Sequence, residues 1–557
     1  MEDSVWKDFD IQPLSNAKVK YPLYDYQKYA VYCSLSMSHY ILGLQTGLGK
    51  TACAYASYYY YKEKYPNTKL IVVSNKSALF QMQEQLHKFF QVSEAGKIIH
   101  NDMDKLKKEK YAEARKRIIS QFGEMGNVQN LDILWMGYTI FTMNISDIEQ
   151  AILKFKMEGY KLFVIFDEST SFINMGTLRF KAVSKISRVA DKVLGLTATL
   201  CKGKLEQIYS IFKGMSIKVF TNKSNFMDKY CIVWRHPKKP YIMNIRGYQN
   251  VRELVEKIRP YTIVLRKADV AVSLPKFTIS KTYLEHSKEQ IKMISGIYTG
   301  EIDIEEYIKD FKGFDENNGG LRGGVETNFI KMALLDERTV TQKNLQDYKT
   351  LSPKTDEIIR GLEEDFVDEK IVIYTHSKRY LLLLANTIKK TKGVPDMYRK
   401  VLEIHGGISA RDREKNKKLF SEDEKYNILI LNNAGIEALN LQVANTILVT
   451  TLPDSFGGLA QLAGRISRID SLHKNLYLKF YLIKDSQDED EYRIIMQQGV
   501  LTKNILDEPE EGLIDYSVLL QDSGISKEEY QSKSLSRLIL SCRKRRAALY
   551  MRKFKKG

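Results

Sequence analysis

The chain has 557 residues, 43% hydrophobic and 28% charged with 11 prolines, a balance that sets aside a largely disordered polymer and leaves room for several domains. A formal net charge of +18 points to a polyanionic partner, nucleic acid before an acidic membrane surface, although charge kept for solubility gives the same sum. Cys33, Cys53, Cys201, Cys231 and Cys542 form no C-x-x-C pair, the start lacks a signal-peptide pattern, and no apolar run approaches the roughly 18 residues of a membrane span, so a reducing interior and no membrane partner are expected.

Residues 1–20 are polar. Tyr21-Pro22-Leu23-Tyr24-Asp25-Tyr26-Gln27 leads into a helical pattern reaching Ser38, and Tyr40-Ile41-Leu42 then enters the loop Gly43-Leu44-Gln45-Thr46-Gly47-Leu48-Gly49-Lys50-Thr51. Two glycines two apart let successive backbone N–H groups curl around an anion, and a helix opening at Lys50 and Thr51 adds its N-terminal amides. In such a loop the lysine meets the β and γ phosphates of ATP and the threonine hydroxyl ligates Mg²⁺. The pattern G-x-x-x-x-G-K-[ST] asks for glycine where Leu44 stands, so the segment alone also fits a glycine-rich turn.

Further apolar strands follow, each ending in polar residues. Leu70-Ile71-Val72-Val73 ends at Ser74-Asn75-Lys76, 131–136 ends at Gly137-Tyr138-Thr139, and Leu162-Phe163-Val164-Ile165-Phe166 runs into Asp167-Glu168. Strands alternating with helices argue for a mostly parallel sheet covered on both faces, with ligands at the carboxyl ends of the strands. Asp167 is placed to grip a nucleotide's Mg²⁺ through water, and Glu168 to orient or deprotonate an attacking water; an acidic pair at an ordinary strand end reads the same way. Val193-Leu194-Gly195-Leu196-Thr197-Ala198-Thr199 is a strand tipped with hydroxyls that suits nucleotide sensing, or simply burial.

The section 201–350 has helical periodicity and a glycine- and asparagine-rich loop over 313–324, read as flexible or inserted. After Ser352-Pro353-Lys354 the alternation restarts without a phosphate loop: 370–374 ends in Thr375-His376-Ser377, 402–404 in His405-Gly406-Gly407, and 427–431 in Asn432-Asn433. Gln461, Arg465 and Arg468 lie in a helix-like stretch where arginines three apart share a face, either for one phosphate or as a solvated basic surface. The end is helical and basic, with Arg543-Lys544-Arg545-Arg546 and Arg552-Lys553-Phe554-Lys555-Lys556. It fits phosphate contacts with stacking by Tyr550 and Phe554, a solubilising tail, or a localisation signal.

In this order the motifs resemble the superfamily 2 helicases and translocases, and within them the Swi/Snf-type ATPases, over about 21–500. Gln27 is similar to the family's adenine-reading glutamine, Gly47-Leu48-Gly49-Lys50-Thr51 to its first motif and Asp167-Glu168 to its second. Leu196-Thr197-Ala198-Thr199 is similar to motif III, and Gln461, Gly464, Arg465 and Arg468 to Q-x-x-G-R-x-x-R of motif VI. The long gap after motif III, Leu265-Arg266-Lys267-Ala268-Asp269-Val270 with Leu274-Pro275-Lys276, and Ser352-Pro353-Lys354 favour the Swi/Snf branch. Gln45-Thr46, Thr170 and Ala438 depart from its usual residues, and the compact chain resembles a phage, viral or bacterial member, hence a bacterial or infected-cell cytoplasm.

The resemblance implies an α/β fold of two tandem RecA-like domains, parallel sheets flanked by helices, with helical insertions. The expected layout is an N-terminal segment over 1–20, an ATP-binding domain over 21–265, a helical insertion or linker over 266–350, a second domain over 351–500 and a basic helical extension over 501–557. It also implies ATP with Mg²⁺ held by Gln27, Gly47, Gly49, Lys50, Thr51 and Asp167. Glu168, Gln461, Arg465 and Arg468 complete hydrolysis, and Thr197 and Thr199 couple it to movement. Ser74, Lys76, Gly137, Tyr138, Thr375, His376, His405, Asn432 and Asn433 would hold the backbone of one strand of single-stranded, duplex or branched DNA. The implied function is a DNA translocase or helicase in replication, recombination or repair. A nucleic-acid-binding or polymerase-associated ATP switch and, more weakly, an RNA helicase are the alternatives.

Overall fold

In the computed structural model the described residues run from 19 to 496, apart from 100–107, 125–130, 199, 202–203, 237–238, 267–269, 271–274, 303–321, 342–351, 367–368, 437–440, 454–455, 468–472 and 494; beyond them 512–513, 550 and 552 are described. The chain divides into two compact units, one comprising 1–232, 247–273 and 502–512, the other 233–246, 274–501 and 513–557. The 313–324 loop up to 321, Thr199, Arg468 and most of the basic tail therefore lie outside the described residues.

The first unit is built on α1 (Asp25–Ser36), β1 (His39–Leu44), α2 (Lys50–Lys64), β2 (Thr68–Ser74), α3 (Leu79–Phe89), β3 (Gly96–Ile99), α4 (Lys108–Gly123), β4 (Ile133–Gly137), α5 (Tyr138–Met143), α6 (Ile145–Met157), β5 (Lys161–Phe166), α7 (Leu178–Val189) and β6 (Lys192–Thr197). After β7 (Cys231–His236) and β8 (Lys239–Tyr248), β9 (Thr262–Leu265) completes its sheet. That sheet has seven strands in the order β3-β4-β2-β5-β6-β1-β9, all pairs parallel. Every residue of β2 is buried, as are Leu162 through Phe166 of β5. Continuous apolar strands of this kind are what a sheet covered on both faces requires. The tyrosines of α2 pack into that cover: Trp135 Nε1 donates to the Tyr55 hydroxyl (2.9 Å), which donates to the Met82 carbonyl (3.1 Å).

The second unit contains β10 (Lys276–Leu284), β11 (Ile371–Tyr374), β12 (Val401–Ile404), β13 (Ile428–Leu431), β14 (Thr446–Val449) and β15 (Asn475–Ile483), ordered β10-β15-β14-β11-β13-β12 and again parallel throughout. Its faces divide by residue parity. Val372, Tyr374, Leu429 and Leu431 join one apolar cluster, whereas Ile371, Ile373, Ile428 and Ile430 join another, as side chains alternating across a pleated strand must. A separate three-stranded sheet pairs β7, β8 and β16 (Gly512–Leu513).

One boundary differs from the sequence reading. Part of the expected insertion over 266–350 is β10, which pairs with β15 along its whole length from Lys276↔Asn475 to Leu284↔Ile483. Thr278, Ser280 and Thr282 alternate with Phe277, Ile279, Lys281 and Tyr283, a period of two that suits a strand open on one side and offers no helical face. Helical character follows at Lys288–Thr299, where Ser287 and Gln290 form a capping box and Gly300 closes the helix in the left-handed region (φ 80°).

Ser352-Pro353-Lys354 has a structural task. Pro353 opens the helix Pro353–Arg360, the Ser352 hydroxyl donates to the Leu335 carbonyl (2.8 Å), and buried Lys354 donates to the Thr450 carbonyl (2.7 Å) and pairs with Asp488 at 2.6 Å. Breaking a buried pair leaves one charge uncompensated. We expect Lys354→Met to destabilise the second unit by about 3–5 kcal/mol in urea unfolding, with most of that loss recovered in Lys354→Met/Asp488→Leu, because the orphaned carboxylate is then gone.

Candidate nucleotide and nucleic-acid sites

The loop between β1 and α2 adopts the conformation its glycines permit. Gly47 (φ 99°) and Gly49 (φ 79°) lie in the left-handed region, and Gly49 is the N-cap of α2, which leaves the first amides of that helix at the loop's mouth. Gln27 is joined to the same turn: its Nε2 donates to the Leu48 carbonyl (3.1 Å) and its Oε1 accepts from the Tyr24 amide (3.0 Å). A Cβ at position 49 would come within 2.3 Å of that Nε2, so Gly49 answers both a backbone and a packing demand. Lys50 folds back over the loop, its Nζ donating to the Leu44 carbonyl (2.9 Å). Leu44 is thus accommodated at the end of β1 through its main chain. Thr51 is the second residue of α2 and half-buried.

Asp167 follows the last residue of β5. Its amide donates to the Val73 carbonyl (2.8 Å), its Oδ2 accepts from the Ser74 hydroxyl (2.6 Å) and its carbonyl accepts from the Tyr138 hydroxyl (2.6 Å). Burial and then the neighbouring Glu168 charge push the carboxyl up to about 6 against the Ser74 hydrogen bond and the Lys50 charge, which act downward. Lys50 thus acts on the Asp167 carboxyl as a nearby positive charge. Glu168 has φ 50° and ψ 62°, a left-handed conformation rare for a side-chain-bearing residue, and its carbonyl accepts from Ser171 (2.8 Å). Next to it, the Ser169 hydroxyl donates to the Leu196 carbonyl (3.2 Å), tying the acidic turn to β6 one residue before buried Thr197.

Two expected nucleic-acid contacts fall here instead. Ser74 is fully buried and Tyr138 is 2% exposed, because β4, β2 and β5 end almost level in the sheet, with Ser74 opposite Gly137 and Val73 opposite Phe166. Both hydroxyls are used on Asp167. Gly137 is buried as well, whereas Lys76 is exposed. The chain motif that places Ser74 there is visible, a hydroxyl as the last residue of an apolar strand; its direction depends on the neighbouring strand.

In the second unit the tips of β11, β12 and β13 are adjacent, which brings Thr375, His376, His405, Asn432 and Asn433 to one edge. The Tyr374 hydroxyl donates to Asn433 Oδ1, Asn433 Nδ2 donates to His376 Nδ1 (3.2 Å), and the His376 amide donates to Thr451 Oγ1 (2.7 Å). Thr375 is buried, and His405 is nearly so, its Nδ1 accepting from the Gly407 amide (3.0 Å). Burial, then the Lys378 charge, hold His405 below the ordinary histidine range, leaving it a neutral acceptor. Gly406, Gly407 and Lys378 are exposed at this edge, and His376, Asn432 and Asn433 are half-buried. Gln461 and Arg465 are half-buried in the helix Phe456–Ile466, and Arg468 lies outside the described residues.

The SNF2-related domain profile matches residues 26–343, more than half of the chain, and the helicase conserved C-terminal domain matches 354–470. The chain belongs to the SNF2-related family. Membership of this helicase and ATPase family carries ATP use with it. Among its relatives, the "DNA annealing helicase and endonuclease ZRANB3" of Mus musculus is 20% identical over 429 residues, covering 76% of this chain and 35% of the mouse protein. A Caenorhabditis elegans homolog of the "SWI/SNF-related matrix-associated actin-dependent regulator of chromatin subfamily A-like protein 1" is 21% identical over 487 residues, covering 86% and 61%. The chain thus spans about a third to three-fifths of these relatives' lengths. The Sulfolobus solfataricus "SWI2/SNF2 ATPase core in complex with dsDNA" is 19% identical, with a TM-score of 0.37 and coverage of 93% and 98%.

The raised carboxyl of Asp167 gives this SNF2-related chain a pH signature. A group bound to its proton more tightly in the folded than in the unfolded state makes stability fall as pH rises between its two pKa values. Asp167→Asn removes that cost. In nucleotide-free protein the variant should melt above the parent at pH 7.5, and the gap should close as pH falls from about 6 towards the ordinary carboxylate value; a constant gap across that range would contradict the assignment.

Proposed function

We propose that the chain is an ATP-dependent DNA translocase or helicase acting on duplex, forked or branched DNA in replication, recombination or repair. The observation that carries this reading is the convergence, in one unit of an SNF2-related chain, of the glycine loop with Lys50 and of Asp167-Glu168 at strand ends. The relatives named for DNA annealing support the choice of DNA over RNA, and the net charge of +18 supports a polyanionic partner.

In this proposal ATP lies in the loop with Gln27 at its adenine and Lys50 against its β and γ phosphates. Thr51 and Asp167 hold Mg²⁺. One hydroxyl and one carboxylate suit an ion bound chiefly through phosphate oxygens and water, and no cluster of three or more His, Cys, Asp or Glu fit for a metal occurs among the described residues. When bound, the ion supplies positive charge at the phosphates. Glu168, held in its strained turn, orients the attacking water and takes its proton. The Q-x-x-G-R-x-x-R segment supplies Arg465 and Arg468 as positive charges for transfer of the γ-phosphoryl group and Gln461 as a neutral hydrogen-bonding side chain. Thr197 and Thr199 relay the nucleotide's state. Nucleic acid is held at the second unit's strand-tip edge through the residues about His376, Gly407, Asn432 and Asn433, and by Lys76 in the first; such backbone-directed contacts carry little sequence information.

The test is ATP turnover with no polymer and with single-stranded, duplex, forked and four-way DNA and RNA. DNA should stimulate the parent, and equal rates throughout would overturn the proposal. Lys50→Ala should abolish turnover, and Arg465→Ala should lower it by about 10³ or more while nucleotide binding persists.

A further inference from the structure

We propose that Ser74 and Tyr138 are positioning residues for the cation-holding carboxylate of Asp167, an inference that rests on the reading that Asp167 serves a bound nucleotide's divalent ion. Two neighbouring strands, β2 and β4, supply three different restraints on this one residue. From β2, the Val73 carbonyl accepts the Asp167 amide (2.8 Å) and the Ser74 hydroxyl donates to Oδ2 (2.6 Å); from the end of β4, the Tyr138 hydroxyl donates to the Asp167 carbonyl (2.6 Å). The first fixes the backbone, the second the rotation of the carboxylate plane, and the third the peptide that turns into the left-handed conformation of Glu168.

The restraint closes on itself. The Arg179 guanidinium of α7 lies over the Tyr138 ring, 5.1 Å from its centroid, and donates to the Ser171 carbonyl (3.3 Å), while the Ser171 amide donates to the Glu168 carbonyl (2.8 Å). Asp167 and Glu168 are thereby held inside a ring running Tyr138, Asp167, Glu168, Ser171, Arg179 and back to Tyr138. Ser74 and Tyr138 have no exposed hydroxyl with which to reach a polymer, and their donated protons go to the acidic turn. Outer groups of this kind set the orientation of a ligand side chain, and removing one typically weakens metal affinity by about 10 to 100-fold.

The experiment uses the full chain and Mn²⁺ as a paramagnetic probe, titrated by EPR in the presence of ADP, alongside fluorescent ADP binding without metal. Ser74→Ala should weaken Mn²⁺ binding by about tenfold or more and leave metal-free ADP binding unchanged, and Ser74→Thr, which keeps the hydroxyl, should restore it. Tyr138→Phe removes only the donor, keeps the ring beneath Arg179, and should weaken Mn²⁺ in the same direction; it also serves if Ser74→Ala fails to fold. Mn²⁺ affinity within about twofold of the parent in Ser74→Ala or Tyr138→Phe, or loss of metal-free ADP binding in either, would overturn the positioning role. If instead the parent and Asp167→Ala bind Mn²⁺ equally in the presence of ADP, the underlying assignment of Asp167 fails.

Discussion

Parallel pairing that ends neighbouring strands at one level is the constraint on which both units depend. In the first unit β4, β2 and β5 stop within a residue of one another, and that is why the Val73 carbonyl, the Ser74 hydroxyl and the Tyr138 phenol, from separate parts of the chain, meet at Asp167. The carboxylate could not be held in a turn that includes a left-handed Glu168 without such over-determination. A backbone in that region costs of order 1–2 kcal/mol and persists only where its surroundings compensate.

The same constraint has a different outcome in the second unit. There the level strand ends present a polar edge made of His376, Asn433 and the Gly406-Gly407 turn, braced from below by Tyr374 and Thr451. Two buried charge pairs of the unit, Lys354 with Asp488 and Arg338 with Asp336 at 2.6 Å, lie within the fold. One sheet architecture thus carries a glycine loop in one unit and a polar strand-tip edge in the other.

Much of the fold was legible because its signals are local. Apolar runs such as 162–166 and the glycine spacing at 47 and 49 each depend on a few consecutive residues. β10 was less so. Its alternation of apolar and hydroxyl residues belongs to an edge strand, and within a long, otherwise helical section the partner that makes it a strand, β15, is about two hundred residues away. The site divides likewise: Gln27, Gly49, Lys50 and Asp167 stand where their spacing puts them, whereas Arg468 and Thr199 lie outside the described residues.

By itself, then, the sequence determined the alternation of strand and helix, the glycine loop, the acidic pair at a strand end and the basic character of the chain, all consequences of residue type and short-range spacing. Only the tertiary structure decided which hydroxyl-bearing strand tips face outward and which turn inward. Ser74 and Tyr138 have the composition of backbone contacts and the position of supports for Asp167. The difference is set by the register of the strand alongside, and register is a property of residues far apart in the chain.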